Sequence, residues 1–243
     1  MSKALVIIPT YNELENIPIV LERVIGLPIT FDVLFVDDNS PDGSAALIKQ
    51  YIKKFKSRVF LESKNKKEGL GKAYTHGFKW ALNRDYDCIF EMDADLSHDP
   101  LDLVKMYKEL ESSNCDVVVG SRYINGINVV NWPLSRIILS YLASIYSRVI
   151  TGLPVKDATS GFVGFKRKVL EKMNLKSILF NGYAFQIELK FKAFKNNFRI
   201  LEIPIIFKDR IHGESKMNGD IILEAIFGLI KLKIYSYFYN INK

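Results

Sequence analysis

From residue 4 onward the first half of the chain alternates short β-branched apolar runs with longer amphipathic stretches, a rhythm that restricts the fold more than any other feature. The predicted strands cover residues 4–9, 32–37, 58–62, 88–92 and 116–120, and helical patterns cover 16–25, 43–55, 71–84 and 101–112. Near-continuous apolar strands spaced by helices indicate a mostly parallel sheet covered on both faces. Such sheets bind ligands beyond the carboxyl ends of their strands. The residues at those ends are therefore the candidates for chemistry.

Four of the five ends are polar or acidic: PTYNE after the first strand, DDNSPDG after the second, DADLSHDP after the fourth and GSRY after the fifth. A dinucleotide-binding dehydrogenase would place G-x-G-x-x-G after the first strand, where this chain has Pro9, Thr10, Tyr11 and Asn12, and no Walker-type motif occurs. GLGKAYTHG, residues 69–77, follows strand three and matches neither fingerprint. Beyond Tyr123 come an apolar helical stretch at 132–150 interrupted by Arg136 and Arg148, a helix at 184–195, a strand at 200–207 and a last helix at 221–239.

Charged residues make up 25% of the 243, close to the globular average, which argues against wholesale disorder. The net charge of +7 is compatible with nucleic acid, anionic lipid or a phosphorylated substrate, but no dense basic face supports nucleic acid. Cys88 and Cys115 read as reduced cysteines in buried strands of a cytosolic protein, and the three histidines are too scattered to complete a zinc site with them. The first residues lack the apolar length and cleavage site of a secretory signal. No run reaches the ~18 uncharged apolar residues of a membrane span.

Asp93 and Asp95 carry the strongest chemical signal. In extended chain, side chains two residues apart point the same way, and clustered negative charge is costly to bury unless a cation compensates. A divalent metal bridging a diphosphate suits such a pair and would act as a Lewis acid on a departing nucleotide diphosphate. Pro41, Asp42 and Gly43 form a turn signal with Asp42 capping the next helix, while Asp37 or Asp38 could accept a base N–H or a ribose hydroxyl. In the same crevice Tyr11 could stack on a base, and Glu13 could bind ribose or begin a helix. Lys72 could reach a diphosphate or simply solvate its helix.

The ordered segments PTYNE, VDDNSPDG, GLGKAY, MDADLSHDP, GSRY, NWPLSR, DATSGF, FNGYAFQIE and DRIHGESKM span residues 5 to about 218. Through them the chain resembles the inverting family 2 glycosyltransferases, specifically the polyprenol-phosphate mannose synthases. The resemblance implies an α/β GT-A nucleotide-diphospho-sugar transferase fold: a Rossmann-like mixed, mostly parallel sheet flanked by helices. Residues 1–218 would be the catalytic domain, with 219–243 an amphipathic helix that belongs to it or faces a membrane. Pro9, Tyr11, Glu13, Asp38, Asp93 and Asp95 would bind the nucleotide sugar, with Asp38 near the base. Asp93 and Asp95 would hold Mg2+ or Mn2+, and Ser97 sits where some relatives carry a glutamine metal contact. Arg122, Arg136, Arg210 and Lys216 would be the basic residues around the donor and acceptor phosphates. Arg122 and Arg136 would serve the acceptor, Arg210 and Lys216 the donor, and Asp95, Arg122, Arg136 and Arg210 would carry catalysis.

The expected reaction is transfer of mannose from GDP-mannose to a polyprenyl phosphate. A phosphomonoester is already an anion at neutral pH, so in-line attack with inversion needs no general base, and catalysis reduces to positioning and electrostatic stabilisation. The last helix and the stretch at 132–150 pair apolar faces with basic residues, as interfacial helices do. The expected location is therefore the cytoplasmic face of a membrane, peripherally bound, with a membrane-protein partner or a second copy as the alternatives for helping it attach. The rivals are transfer of glucose or another sugar from a UDP-sugar to a lipid phosphate or polysaccharide, and a non-enzymatic nucleotide- or lipid-binding module.

Overall fold

The computed structural model describes residues 2–112, 114–182, 184–209 and 219–238. Its first half is the expected alternation: β1 (Ala4–Thr10), α1 (Asn16–Ile25), β2 (Phe31–Asp37), α2 (Ser44–Lys54), β3 (Val59–Ser63), α3 (Leu70–Leu82), β4 (Cys88–Glu91), α4 (Leu101–Ser112) and β5 (Val117–Ser121). There follow β6 (Val129–Val130), α5 (Leu134–Thr151), β7 (Val163–Lys166), α6 (Arg167–Lys172), α7 (Ala184–Lys195), β8 (Ile200–Pro204), β9 (Phe207–Lys208) and α8 (Gly219–Phe238).

One seven-stranded sheet runs β3-β2-β1-β4-β7-β5-β8. β1 to β4 pair in parallel, as do β5 and β8, while β7 is antiparallel to both its neighbours. The sequence reading had no strand at 163–166. It had one strand at 200–207, which is in fact two: after Pro204, which has no N–H to donate, the chain leaves β5, and Phe207 and Lys208 pair with Val129 and Val130. Apolar side chains fill both faces. Leu5 and Ile7 point into a cluster with Phe78, Phe165, Phe185 and Phe191, and Val6 and Ile8 into one with Ile17, Leu21, Phe35 and Met106. Both cysteines are buried and outside any disulfide, Cys88 in β4 and Cys115 just ahead of β5.

Helix α5 is inside out. Its buried residues are Ser144, Ser147 and Thr151, whereas Leu134, Ile138, Leu142 and Val149 are between 50% and 76% exposed. Helix α8 packs beside it: Lys233 Nζ donates to the Thr151 carbonyl (3.1 Å), and Leu229 and Leu232 are buried. Phe227, Ile230, Ile234 and Tyr235 remain exposed on the same element. Among the described residues no helix is long and apolar enough to cross a membrane.

Candidate active site

A cavity of about 380 Å³ opens at the carboxyl ends of β1, β2 and β4. Its walls include Pro9, Tyr11, Glu13, Asp38, Asp93 and Asp95, together with Lys67, Gly69, Leu70, Asn181 and Gly182. Six of the eight residues expected around the nucleotide sugar therefore converge on one pocket, and the other two, Arg210 and Lys216, lie outside the described residues.

The walls are fixed by local chemistry. Strand β1 ends at Thr10, and Asn12 (φ 59°) turns the chain so that the Glu13 carbonyl accepts from the N–H groups of Asn16 and Ile17. The Glu13 carboxylate accepts from the Asn16 amide (2.7 Å), so this residue starts α1 and lines the pocket as well. Asp42 accepts from the N–H and hydroxyl of Ser44, the first residue of α2, and from the N–H of Leu14, so it bridges the two loops; the N-cap itself is Gly43, not the expected Asp42. Asp37 accepts from the Ser40 hydroxyl and N–H and is buried in that turn. Asp38 lines the pocket, yet its carboxylate faces the loop after β3: it pairs with Lys64 (2.8 Å) and accepts from the N–H groups of Glu68 and Gly69 (3.1 Å each). Expected near the base, Asp38 lines the pocket and also holds one of its walls in place. Lys72 lies outside the pocket, half exposed and 3.5 Å from Glu68, so it solvates its helix.

The opposite wall depends on close approach. A Cβ at Gly71 would fall 2.6 Å from the Phe180 carbonyl oxygen, and the Gly71 N–H donates to Asn181 (2.9 Å). From beneath, buried Glu188 of α7 accepts from the N–H groups of Leu179 and Phe180 and pairs with Lys192 (3.0 Å). Glu188 was not singled out in the sequence, although it closes the FNGYAFQIE segment.

Asp93 and Asp95 do share the pocket, but not by strand periodicity, because β4 stops at Glu91. A bend does it: Leu96 takes φ 62°, and Asp95 Oδ1 accepts from the hydroxyl (2.6 Å) and N–H (3.1 Å) of Ser97. Ser97 is buried outside the pocket with its hydroxyl turned to Asp95, so it orients a carboxylate where a metal contact was expected. The Tyr74 hydroxyl lies 3.5 Å from Asp93 Oδ1. No third His, Cys, Asp or Glu joins them in a metal-binding group among the described residues. Two hard carboxylates with room for a diphosphate fit Mg2+ or Mn2+, since magnesium usually takes one or two protein carboxylates plus substrate phosphates.

Behind this pair, burial raises Glu91 to about 8 against the opposing charge of Lys190, and burial lowers Lys190 to about 8. Burial also lowers His98 to about 4, against the opposing charge of Asp95, so its ring is neutral near pH 7. The ring stacks on Phe162 (4.7 Å) and meets Phe207 edge-on (5.1 Å).

Arg122 and Arg136 meet at an aromatic cluster beside the pocket, outside its walls. Their guanidinium carbons stand 5.7 Å and 4.0 Å from the Trp132 ring. Arg122 is buried and held by Asp157 through Nε, Nη2 and the backbone N–H (2.7, 2.7 and 2.9 Å), and Nη2 also donates to Thr159. Arg122 was expected at the acceptor phosphate; most of its fork is engaged by Asp157, a partner the sequence did not reveal. Burial alone would raise the Asp157 carboxyl; Arg122 outweighs burial and holds it below the ordinary range. Arg136 is one-quarter exposed and pairs with Asp209 (2.9 Å). Arg210 and Lys216 lie outside the described residues.

Fold and pocket together are those expected of an α/β transferase of the nucleotide-diphosphate-sugar class. The sequence matches the glycosyl transferase family 2 over residues 5–173, and the chain belongs to that family. It is 43% identical over 225 residues to a polyprenol monophosphomannose synthase of Mycolicibacterium smegmatis, covering 93% of this chain and 84% of the relative. To an undecaprenyl-phosphate mannosyltransferase of Micrococcus luteus it is 40% identical over 229 residues, covering 94% and 93%. In fold it is similar to the glucosyl-3-phosphoglycerate synthase of Mycobacterium tuberculosis, solved with Mn2+, UDP and glucosyl-3-phosphoglycerate: TM-score 0.66 at 16% identity, over 97% of this chain and 79% of that one. The GT-A architecture is thus the observed one, and the chain is a glycosyltransferase.

Proposed function

We propose that this enzyme transfers mannose from GDP-mannose to a polyprenyl phosphate at a membrane surface, with inversion at the anomeric carbon. The observation that carries the reading is the convergence of Tyr11, Glu13, Asp93 and Asp95 on one pocket, in a chain about 40% identical to a named undecaprenyl-phosphate mannosyltransferase. Asp93 and Asp95 would hold Mg2+ or Mn2+, which when bound supplies Lewis-acid stabilisation of the leaving diphosphate. Tyr11 offers a face for the base and Glu13 an acceptor for ribose. Locked by Asp157, Arg122 contributes a fixed positive potential next to the carboxylates. Arg136, still partly exposed, is placed to exchange Asp209 for the acceptor phosphate, and a guanidinium fork matches phosphate oxygens. Arg210 and Lys216 complete the proposed donor phosphate contacts.

The inside-out α5, continued by the exposed apolar residues of α8, supports peripheral attachment to the bilayer that holds the acceptor. Such a surface would lie on the cytoplasmic face. The decisive assay incubates the protein with labelled GDP-mannose, Mg2+ and polyprenyl phosphate, then extracts the lipid. Labelled lipid that disappears in Asp95→Ala is the expected result. Label arriving only from UDP-glucose, or full activity in Asp95→Ala, would overturn the sugar or the site, respectively.

A further inference from the structure

The loop between β3 and α3 places the ammonium of Lys67 4.0 Å from the centroid of the Tyr11 ring, and both residues line the pocket. Its neighbours are committed elsewhere: Lys64 to Asp38 and Glu68, and Lys72 to Glu68. Lys67 makes no ion pair among the described residues and is exposed toward solvent. The loop bearing it is pinned by three contacts to Asp38 and ends at Gly69, whose φ of 98° suits glycine.

The loop after β3 folds back over the sheet, with Glu68 and Gly69 on Asp38 after β2 and Lys67 on Tyr11 after β1. With a diphosphate held at Asp93 and Asp95, a base resting on the Tyr11 ring would lie within reach of Lys67. A base stacking on Tyr11 competes with the ammonium for the ring, so the ammonium must move from the ring face to the edge of the base. A lysine ammonium donates three hydrogen bonds and accepts none. Guanine offers O6 and N7 as acceptors on one edge, whereas adenine replaces O6 with an N6 amino donor.

We infer that Lys67 is a specificity-determining residue that selects donors whose base carries a keto oxygen, by exchanging its contact with the Tyr11 ring for a hydrogen bond to that oxygen. The inference rests on the reading of this pocket as the nucleotide-sugar site. It also accounts for the position of Asp38, whose carboxylate is spent on holding the loop from which Lys67 projects.

The test is calorimetric titration of the full chain with GDP, UDP and ADP in Mg2+, for the wild type, Lys67→Met, Lys67→Arg and Lys66→Met. Lys66→Met removes the same charge one residue away from outside the pocket walls. The wild type should prefer GDP and UDP over ADP. Lys67→Met should shrink the GDP-to-ADP affinity ratio about tenfold, equivalent to about 1.4 kcal/mol. Lys67→Arg should retain most of the ratio, and Lys66→Met all of it. Equal weakening of all three nucleotides in Lys67→Met would assign the residue to the phosphates, and an unchanged ratio would deny it any part in base selection; either overturns the inference. A wild type that binds none of the three would instead defeat the reading of the pocket itself.

Discussion

Replacing Asp157 with asparagine strips the charge that holds Arg122 inside the protein. The two side chains are 0% and 9% exposed, and the carboxylate accepts from the guanidinium Nε and Nη2 and from the Arg122 backbone N–H, all within 2.9 Å. Removing one partner of a buried ion pair costs about 3–5 kcal/mol, mostly because a charge is left uncompensated. Asparagine keeps one carbonyl acceptor, so the lower end, about 3 kcal/mol, applies. For a chain of this size the melting temperature should fall by about 6–12 °C. The loss should also depend on pH. With its folded pKa depressed by Arg122, Asp157 stabilises fully above the ordinary carboxylate pKa of about 3.9 and loses that contribution as pH falls through the depressed value. Urea unfolding followed by tryptophan fluorescence at pH 7 and near pH 3 would measure both effects. Combining Asp157→Asn with Arg122→Met should recover part of the stability, since no unpaired charge then remains. A deficit under about 1 kcal/mol at pH 7, or a gap between wild type and variant that widens in acid, would refute the account of the pair.

His98 makes a second prediction about acid, in a higher pH window. Its folded pKa is lowered by burial from 6.5 to about 4, so the unfolded chain binds the extra proton between those values, and the wild type should lose stability as pH falls from 6.5 towards 4. His98→Phe keeps a ring against Phe162 and Phe207 and should flatten that part of the profile in thermal melts; parallel curves for the two proteins would contradict it. On α5, Leu142 and Val149 are 55% and 76% exposed, so the double variant Leu142→Glu/Val149→Glu should fold within about 1 kcal/mol of the wild type. It should sediment at least tenfold less with anionic lipid vesicles, and undiminished sedimentation would remove this face from the membrane reading.

The layered α/β arrangement was legible because apolar runs and amphipathic stretches differ in period, and β1 to β5 fall within two residues of their expected ends. β7 was not legible. Its four residues, VGFK, contain a glycine that sequence reading takes as a break, yet Gly164 is there because it pairs with Phe90 and any Cβ would fall 2.6 Å from that ring. The acidic pair at Asp93 and Asp95 stood out from position alone, although the bend that aims them was read as extended chain. Partners distant in sequence escaped entirely. Nothing in DATS marks Asp157 as the counter-ion of a residue 35 positions earlier, and Lys67 reads as one more charge in the run KNKKEG. Asp38 lines the pocket as expected, but its hold on the loop after β3 was not legible, because a carboxylate facing a loop and one facing a ligand have the same local sequence.

The position of β7 also sets an order on how the chain can assemble as it leaves the ribosome. Strands β1 to β3 find all their partners among β1 to β4, so the parallel half carrying Tyr11, Asp38, Lys67 and Asp93 can close once the first hundred or so residues have emerged, with β4 as an open edge until β7 arrives. β5 cannot join them, because its two neighbours in the sheet, β7 and β8, are made later. Until Asp157 and Val163 appear, the strand leading into Arg122 has neither a ladder to enter nor an anion for its charge. Synthesis therefore builds the half that carries the pocket's carboxylates first and leaves the basic half waiting, its apolar β5 edge exposed for the time it takes to translate about forty further residues.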